Sequence, residues 1–232
     1  MPDQQRLVER AATLVGTDER GRLTGQAPRL YILRTPERVI CRCHADLADA
    51  VARTLEALAT RPRGRPSQWA REYADYLTVL ADVAPLRSVR AGPLYSFPDR
   101  PAFQASATAI GADNADLLLG GLDEWRPDVA AGLPMLATVV DGKAVSICAS
   151  VHASGVAHAA GVETLPAYRG QGLASRTVAA WAERVQTEGA TPFYATTFDN
   201  IASQGVARRL GLNLVGSEFS VECETASGSS PL

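Results

Sequence analysis

Residues able to bind an anion and move a proton crowd into one stretch of this 232-residue chain, Gly161-Val162-Glu163-Thr164-Leu165-Pro166-Ala167-Tyr168-Arg169-Gly170-Gln171-Gly172-Leu173-Ala174. The run from Gly161 to Leu165 reads as the end of a strand, Pro166 closes it, and a helical pattern runs from Thr177 to Val185. A strand, a glycine-containing turn and a helix N-terminus make an anion site. The first-turn N–H groups have no intrahelical partner, and the helix dipole adds partial positive charge. Gly170 and Gly172 let an anion approach the backbone closely. The spacing is not that of the common nucleotide loops, since neither Gly-x-x-x-x-Gly-Lys-Ser/Thr nor Gly-x-Gly-x-x-Gly occurs.

The elements around this turn follow from the hydrophobic pattern. Met135–Val140 and Ala144–Ser150 read as strands joined at Asp141-Gly142, a strong hairpin signal. Ala157–Leu165 is the strand that feeds the turn. A helix over 172–186, a strand over 192–197, a helix over 201–210 and a strand over 214–221 follow. Asn200 is placed to cap the second helix, and Gly211 suits the positive φ beyond its end. Upstream, Thr108–Ile110 is a short strand, Asp113 is read as capping a helix to Leu119, and Glu124–Ala131 as a second helix.

In the N-terminal half, helices are expected over 6–15, 45–58 and 72–80, the last with Ser67 as its N-cap. Strands are expected over 30–33 and 39–43, with a bent strand or hairpin over 89–97 interrupted at Gly92-Pro93.

Arg169-Gly170-Gln171-Gly172-Leu173-Ala174 resembles the Arg/Gln-x-x-Gly-x-Gly/Ala signature of the GCN5-related N-acetyltransferase (GNAT) superfamily. The downstream run Phe193 to Asn200, with the helix ending Leu210-Gly211-Leu212, resembles that family's fifth strand, Asn and following helix. The resemblance spans residues 104–222. It implies an α/β fold, a twisted mixed sheet flanked by helices. It also implies acetyl-coenzyme A as cosubstrate and an N-acetyltransferase acting on an amine.

By this resemblance the backbone of Arg169, Gly170, Gln171, Gly172, Leu173 and Ala174 holds the pyrophosphate. Val162 and Thr164 pair with the pantetheine arm like an added strand, and Asn200 hydrogen-bonds that arm. Glu163 is the candidate general base, since relatives often carry an acid there; its alternative role is a solvent-facing strand glutamate. Many members place a general-acid Tyr on the helix after the Asn, and here that position is Ala207. Ser203, one turn earlier on the same face, is the substitute donor to the arm or the sulfur; Tyr194 and Tyr168 are further options. The acceptor expected is a primary amine of a small molecule. A peptide or protein amine, and a non-catalytic acyl-CoA-binding module, are the alternatives.

Other reactive residues read as less specific. His152 and His158 flank a turn at Ala153–Val156 and are either within reach of an acceptor amine or plain loop residues. Cys41-Arg42-Cys43-His44 has no second Cys/His pair at zinc spacing, so no metal is expected. Arg61, Arg63 and Arg65 form a basic loop. Asp113, Asp116, Asp123 and Glu124 either meet a cationic acceptor or cap helices.

Composition sets the frame. With 23 basic and 25 acidic residues the net charge is −2, which offers no electrostatic case for nucleic acid or an anionic membrane. There is no apolar window long enough to span a bilayer and no secretory pattern, so a cytoplasmic location is expected. Lys143 is the only lysine among many arginines and alanines, a bias of GC-rich bacterial genomes. The organisation expected is an N-terminal α/β region at 1–103, either acceptor-side or a degenerate second copy of the fold. It is followed by the acetyl-CoA-binding domain at 104–222 and a disordered tail at 223–232. Oligomeric state is not legible.

Overall fold

In the computed structural model, which describes residues 2–61, 69–98 and 106–224, the chain divides into two units: 1–14 with 93–215, and 15–92 with 216–232. Both are α/β, with helices packed on a sheet, as the strand and helix patterns predict.

The 15–92 unit contains β1 (Leu30–Arg34), β2 (Val39–Cys43), α2 (Asp49–Ala59) and α3 (Trp69–Ala81). It also holds the first part of β3 (Leu86–Ser96) and most of β9 (Asn213–Cys223), in the order β2-β1-β9-β3. Strand β1 is antiparallel to both neighbours, with Ile32 opposite Cys41 and Phe219. Alternation sends Leu30 and Ile32 to one face, where Leu55 and Leu58 of α2 and Tyr76 and Leu80 of α3 bury them with Phe219 and Val221. Tyr73 stacks on Phe219 at 4.4 Å. Helix α2 starts at Asp49 rather than Ala45, because Ala48 is still extended (φ −54°, ψ 143°). The expected β3 interruption at Gly92-Pro93 does not occur; the strand runs unbroken. Arg63, Arg65 and the Ser67 cap, like Phe103 and the tail from residue 225, lie outside the described residues.

The 93–215 unit has the order β3-β8-β7-β6-β5-β4. Its strands are β4 (Thr108–Ala109), β5 (Met135–Val140), β6 (Lys143–Ala153), β7 (Ala157–Thr164) and β8 (Thr191–Ala195). Its helices are α1 (Pro2–Ala12), α4 (Leu173–Thr187) and α5 (Ile201–Arg209). Asp141 and Gly142 both have positive φ (49° and 75°), the two-residue turn whose twist suits a hairpin. Helix α4 crosses from β7 to β8, which are parallel neighbours, and so forms a βαβ unit.

Val178, Trp181 and Val185 of α4 bury one face of this sheet with Leu136, Cys148 and Tyr194. The other face, from Met135, Ala137 and Ile147, is covered by Leu118 and Leu122. The segment carrying these leucines corrects the expected pair of α-helices. It forms short 3₁₀ turns at Ala112–Leu118, Asp123–Trp125 and Pro127–Ala131. Gly120, Gly121 and Gly132 adopt positive φ there, and Pro127 lacks an N–H, so no stretch propagates α-helical bonding. The N-cap of the first turn is Gly111, whose N–H donates to Asn114 Oδ1 at 2.8 Å, rather than Asp113.

Candidate active site

Strand β7 ends at Thr164, and Pro166–Tyr168 forms one 3₁₀ turn before the chain enters α4. Gly170 and Gly172 both take φ +78°, a conformation that strains any residue with a Cβ. Gly172 is itself the N-cap of α4 and has no side chain to cap it. The first-turn N–H groups of the helix therefore keep their outward donors for a ligand. Buried Leu173 anchors the helix start, and Ala174 keeps the turn small. The Arg169 guanidinium folds back, its Nε donating to Thr164 O at 3.0 Å, and Gln171 Nε2 donates to Ala167 O at 3.4 Å. These hydrogen bonds tie both side chains back to the main chain of the turn.

Sequence reasoning missed Arg209. A Cβ built on Gly172 would stand 3.0 Å from Arg209 Nη1, so the guanidinium lies against the turn. Arg209 is exposed, and among the described residues no ion pair engages it. It ends α5, 37 positions downstream of Gly172, and no local pattern joins the two.

The sheet opens beside this turn. The β7–β8 ladder holds only Ala157↔Thr191, His158↔Pro192 and Ala159↔Phe193. On its other side β7 stays paired to β6 through Thr164↔Ser146, and Leu165 N–H donates to Val145 O at 2.9 Å. Backbone direction alternates along a strand, so Val162 and Thr164 point their N–H and C=O groups away from β6 into the opening, where Thr164 O already accepts from Arg169 Nε. An uncapped helix start beside an arginine, followed by an open strand edge, suits a diphosphate joined to an extended amide-bearing arm.

Alternation also separates the side chains of β7. Val162 packs on the core beneath α4. Glu163 emerges on the other face, where Trp125 Nε1 donates to its Oε2 at 2.6 Å. Trp125 lies close over Gly161, whose hypothetical Cβ would stand 3.0 Å from the indole Cη2 and 2.3 Å from Val151 Cγ1. Glu163 is thus a held carboxylate with Trp125 as its orienting partner, another residue that sequence reading missed. The 3₁₀ turns form a shallow, open depression of about 580 Å³, lined by Ala112, Ala115, Asp123, Arg126, Pro127 and neighbouring residues but not by Glu163. The acids of this region are partly occupied. Asp123 accepts from Gly120 and Gly121 N–H, which holds its carboxyl below the usual range, and Asp116 pairs with Arg126 at 3.0 Å.

Asn200 caps α5, its Oδ1 accepting from Ser203 N–H at 2.9 Å. Ser203 Oγ lies 2.7 Å from Tyr194 Oη. Burial pushes the Tyr194 phenol up to about 12, with the Ser203 hydrogen bond pulling the other way. Ala207 is buried in the same cluster as Tyr194. His158 lies under α4, away from the opening. Its Nδ1 is 2.8 Å from Ser150 Oγ, which accepts from Trp181 Nε1 at 3.0 Å. Burial lowers its pKa, against an opposing pull from Glu188.

In the other unit Cys41 and Cys43 share a hydrogen bond that raises the first thiol and lowers the second. Among the described residues no three His, Cys, Asp or Glu side chains gather as metal ligands, and no helix is long and apolar enough to cross a membrane.

Comparisons with known proteins speak to family and fold. The family model of the GNAT acetyltransferase domain matches residues 135–217, from β5 into β9. A solved structure described as a GNAT-family acetyltransferase, from Novosphingobium aromaticivorans, matches with a TM-score of 0.51 at 17% identity, over 61% of this chain and 68% of that one. A GCN5-related N-acetyltransferase-like protein from Streptococcus suis matches with a TM-score of 0.52 at 17% identity, over 97% of this chain and 100% of that one. At these identities the structural likeness speaks for the fold. No curated protein matches the chain.

Proposed function

We infer that this chain, whose residues 135–217 match the GNAT acetyltransferase family model, moves an acetyl group from acetyl-coenzyme A to a primary amine of a small molecule. The family uses acetyl-coenzyme A. The observation that carries the reading for this chain is the junction at Thr164 to Gly172. There an open strand edge runs into an uncapped helix start with two left-handed glycines.

The turn and the first N–H groups of α4 would hold the diphosphate, with Arg209 adding charge. The backbone of Val162 and Thr164 would pair with the pantetheine amides, and Asn200 would border the same arm. The thioester then lies near Val162, whose N–H faces the opening and can stabilise charge on the carbonyl oxygen. Glu163, held by Trp125 on the sheet face that the 3₁₀ turns cover, accepts a proton from the attacking amine, directly or through water. As the C–N bond forms, the C–S bond breaks and its electron pair leaves with sulfur.

The small acceptor is supported by the open depression of about 580 Å³ that the 3₁₀ turns form, since these turns cover the sheet face that carries Glu163. A peptide or protein amine is the alternative outcome of an acceptor screen. The arginine-rich, lysine-poor composition and net charge of −2 support a bacterial, cytoplasmic setting without nucleic-acid partners.

Titration calorimetry of acetyl-coenzyme A into the wild type and Gly172→Glu tests the site. Micromolar binding to the wild type, lost in a folded variant, is expected, because the substitution sets bulk and negative charge against the diphosphate. A folded wild type that binds nothing overturns the reading. An acetyl-transfer screen across amine classes, read by product mass, then identifies the acceptor.

A further inference from the structure

The sheet face beneath α4 changes character close to the glycine turn. Leu136, Cys148 and Val162 of β5, β6 and β7 form an apolar row that packs with Val178 and Trp181. Two residues along each strand, on the same face, the row becomes Thr138, Ser146 and Thr164, again aligned in register. Thr177 of α4 adds a fourth hydroxyl, and both it and Ser146 are buried at 0% exposure.

The single hydrogen on each hydroxyl sets the direction of the bond between Thr138 and Thr177. Thr177 Oγ1 donates to Leu173 O at 3.0 Å. Its oxygen, 2.7 Å from Thr138 Oγ1, therefore accepts, and Thr138 donates. The result is a bridge from β5 to the carbonyl of the first residue of α4, next to the N-cap Gly172. On the other side of the turn, Ser146 Oγ stands 2.8 Å from Thr164 Oγ1 and donates to Glu163 O at 3.3 Å. Strand end and helix start are thus both tied to the sheet at the level of the turn between them.

The helix does not need the bridge for its own hydrogen bonding. Leu173 O is the regular α-helical acceptor of the Thr177 N–H, and two valines would fill nearly the same space. A satisfied hydroxyl pair adds direction where an apolar pair adds contact alone. That direction acts on the helix turn whose N–H groups have no intrahelical partner.

We propose that Thr138 and Thr177 are positioning residues that fix the first turn of α4 relative to the open edge of β7, so that the diphosphate and the pantetheine arm of one ligand are met together. The proposal rests on the acetyl-coenzyme A reading above. Fixing helix start and strand edge before the ligand arrives removes ordering that binding would otherwise have to supply. Neither threonine touches the ligand, and both act through the main chain at Leu173.

The test is calorimetry of acetyl-coenzyme A alongside thermal denaturation. The proteins are wild type, Thr138→Val, Thr138→Val/Thr177→Val and Thr177→Ser. The double variant removes both hydroxyls together and keeps their shape, so its Tm stays near that of the wild type. Its affinity is expected to fall about three- to tenfold, the scale of one hydrogen bond. Thr138→Val, at a half-buried position, shows most of that fall and carries the test if the double variant does not fold. Thr177→Ser keeps the hydroxyl and binds like the wild type.

A merely structural pair would lower Tm and leave the affinity of the folded protein unmoved. Wild-type affinity in the folded double variant or in Thr138→Val overturns the proposal while the acetyl-coenzyme A reading stands. So does a Thr177→Ser protein as weak as the double variant. A wild type that binds nothing overturns both.

Discussion

Replacing Gly161 by alanine tests the packing that holds the candidate base. The added Cβ would stand 2.3 Å from Val151 Cγ1 and 3.0 Å from Trp125 Cη2, and the first distance is far inside contact range. Overpacking of this kind costs about 1–3 kcal/mol. An opposing term of about 0.4–1 kcal/mol favours alanine, because it restricts the unfolded chain and the φ of Gly161 is not in the left-handed region. The clash wins, with a net loss of roughly 1–2 kcal/mol. For a chain of this size that lowers Tm by about 2–8 °C, at ~2–4 °C per kcal/mol.

The same geometry predicts rescue. Val151 is 44% exposed, so Val151→Ala alone changes stability by no more than about 0.5 kcal/mol. In the double variant the principal clash is gone and the stabilising term survives. Val151→Ala/Gly161→Ala should therefore melt at or slightly above Val151→Ala. Thermal denaturation of the four proteins reads this directly. Additive losses, or a Gly161→Ala protein that melts with the wild type, would refute the argument and with it the close seat of Trp125 on β7.

Three further outcomes are expected. Arg209→Glu weakens acetyl-coenzyme A binding by at least tenfold, and the deficit shrinks as salt is raised, because the lost contribution is an exposed charge beside Gly172; calorimetry at two ionic strengths checks it. His158 has a folded pKa below its unfolded value near 6.5, so it contributes stability that is full above that value and lost as pH falls toward the folded pKa. His158→Asn should therefore be less stable near neutrality but show a flatter pH dependence of Tm between about pH 5 and 7. Glu163→Gln keeps acetyl-coenzyme A affinity and loses 10²–10⁴-fold in transfer rate, on the usual scale for general base catalysis, about the same for each amine acceptor; unchanged turnover would free Glu163 from that role.

Local signals carried much of the fold. The strand, turn and helix order from Met135 to Val221 is legible because glycine and proline punctuate it and the apolar spacing between them is clean. Asp141-Gly142 and Gly211 adopt the backbone conformations their residue types suggest. The segment 112–131 misled for a physical reason. Its leucines have helical spacing, but Gly120, Gly121, Pro127 and Gly132 leave no run long enough to pay for helix nucleation. The glycine turn after β7 was visible in sequence, whereas the guanidinium beside it was not, since Arg209 reaches Gly172 only once α4 and α5 are packed. The same holds for Trp125 with Glu163, 38 positions apart. The end of the β7–β8 ladder at Ala159 depends on how two strands twist apart, and no residue at 160–164 announces it.

The open edge of β7 divides labour between alternate residues of one strand. Main-chain groups of Val162 and Thr164 face the opening, and every residue type except proline supplies such groups. The side chain at 163 lies on the face that the 3₁₀ turns cover, against Trp125. Substitution at that position removes the proposed proton acceptor and leaves the main-chain edge as it was. A lineage built this way can lose or regain its chemistry by a single substitution without rebuilding the edge against which an extended ligand would lie.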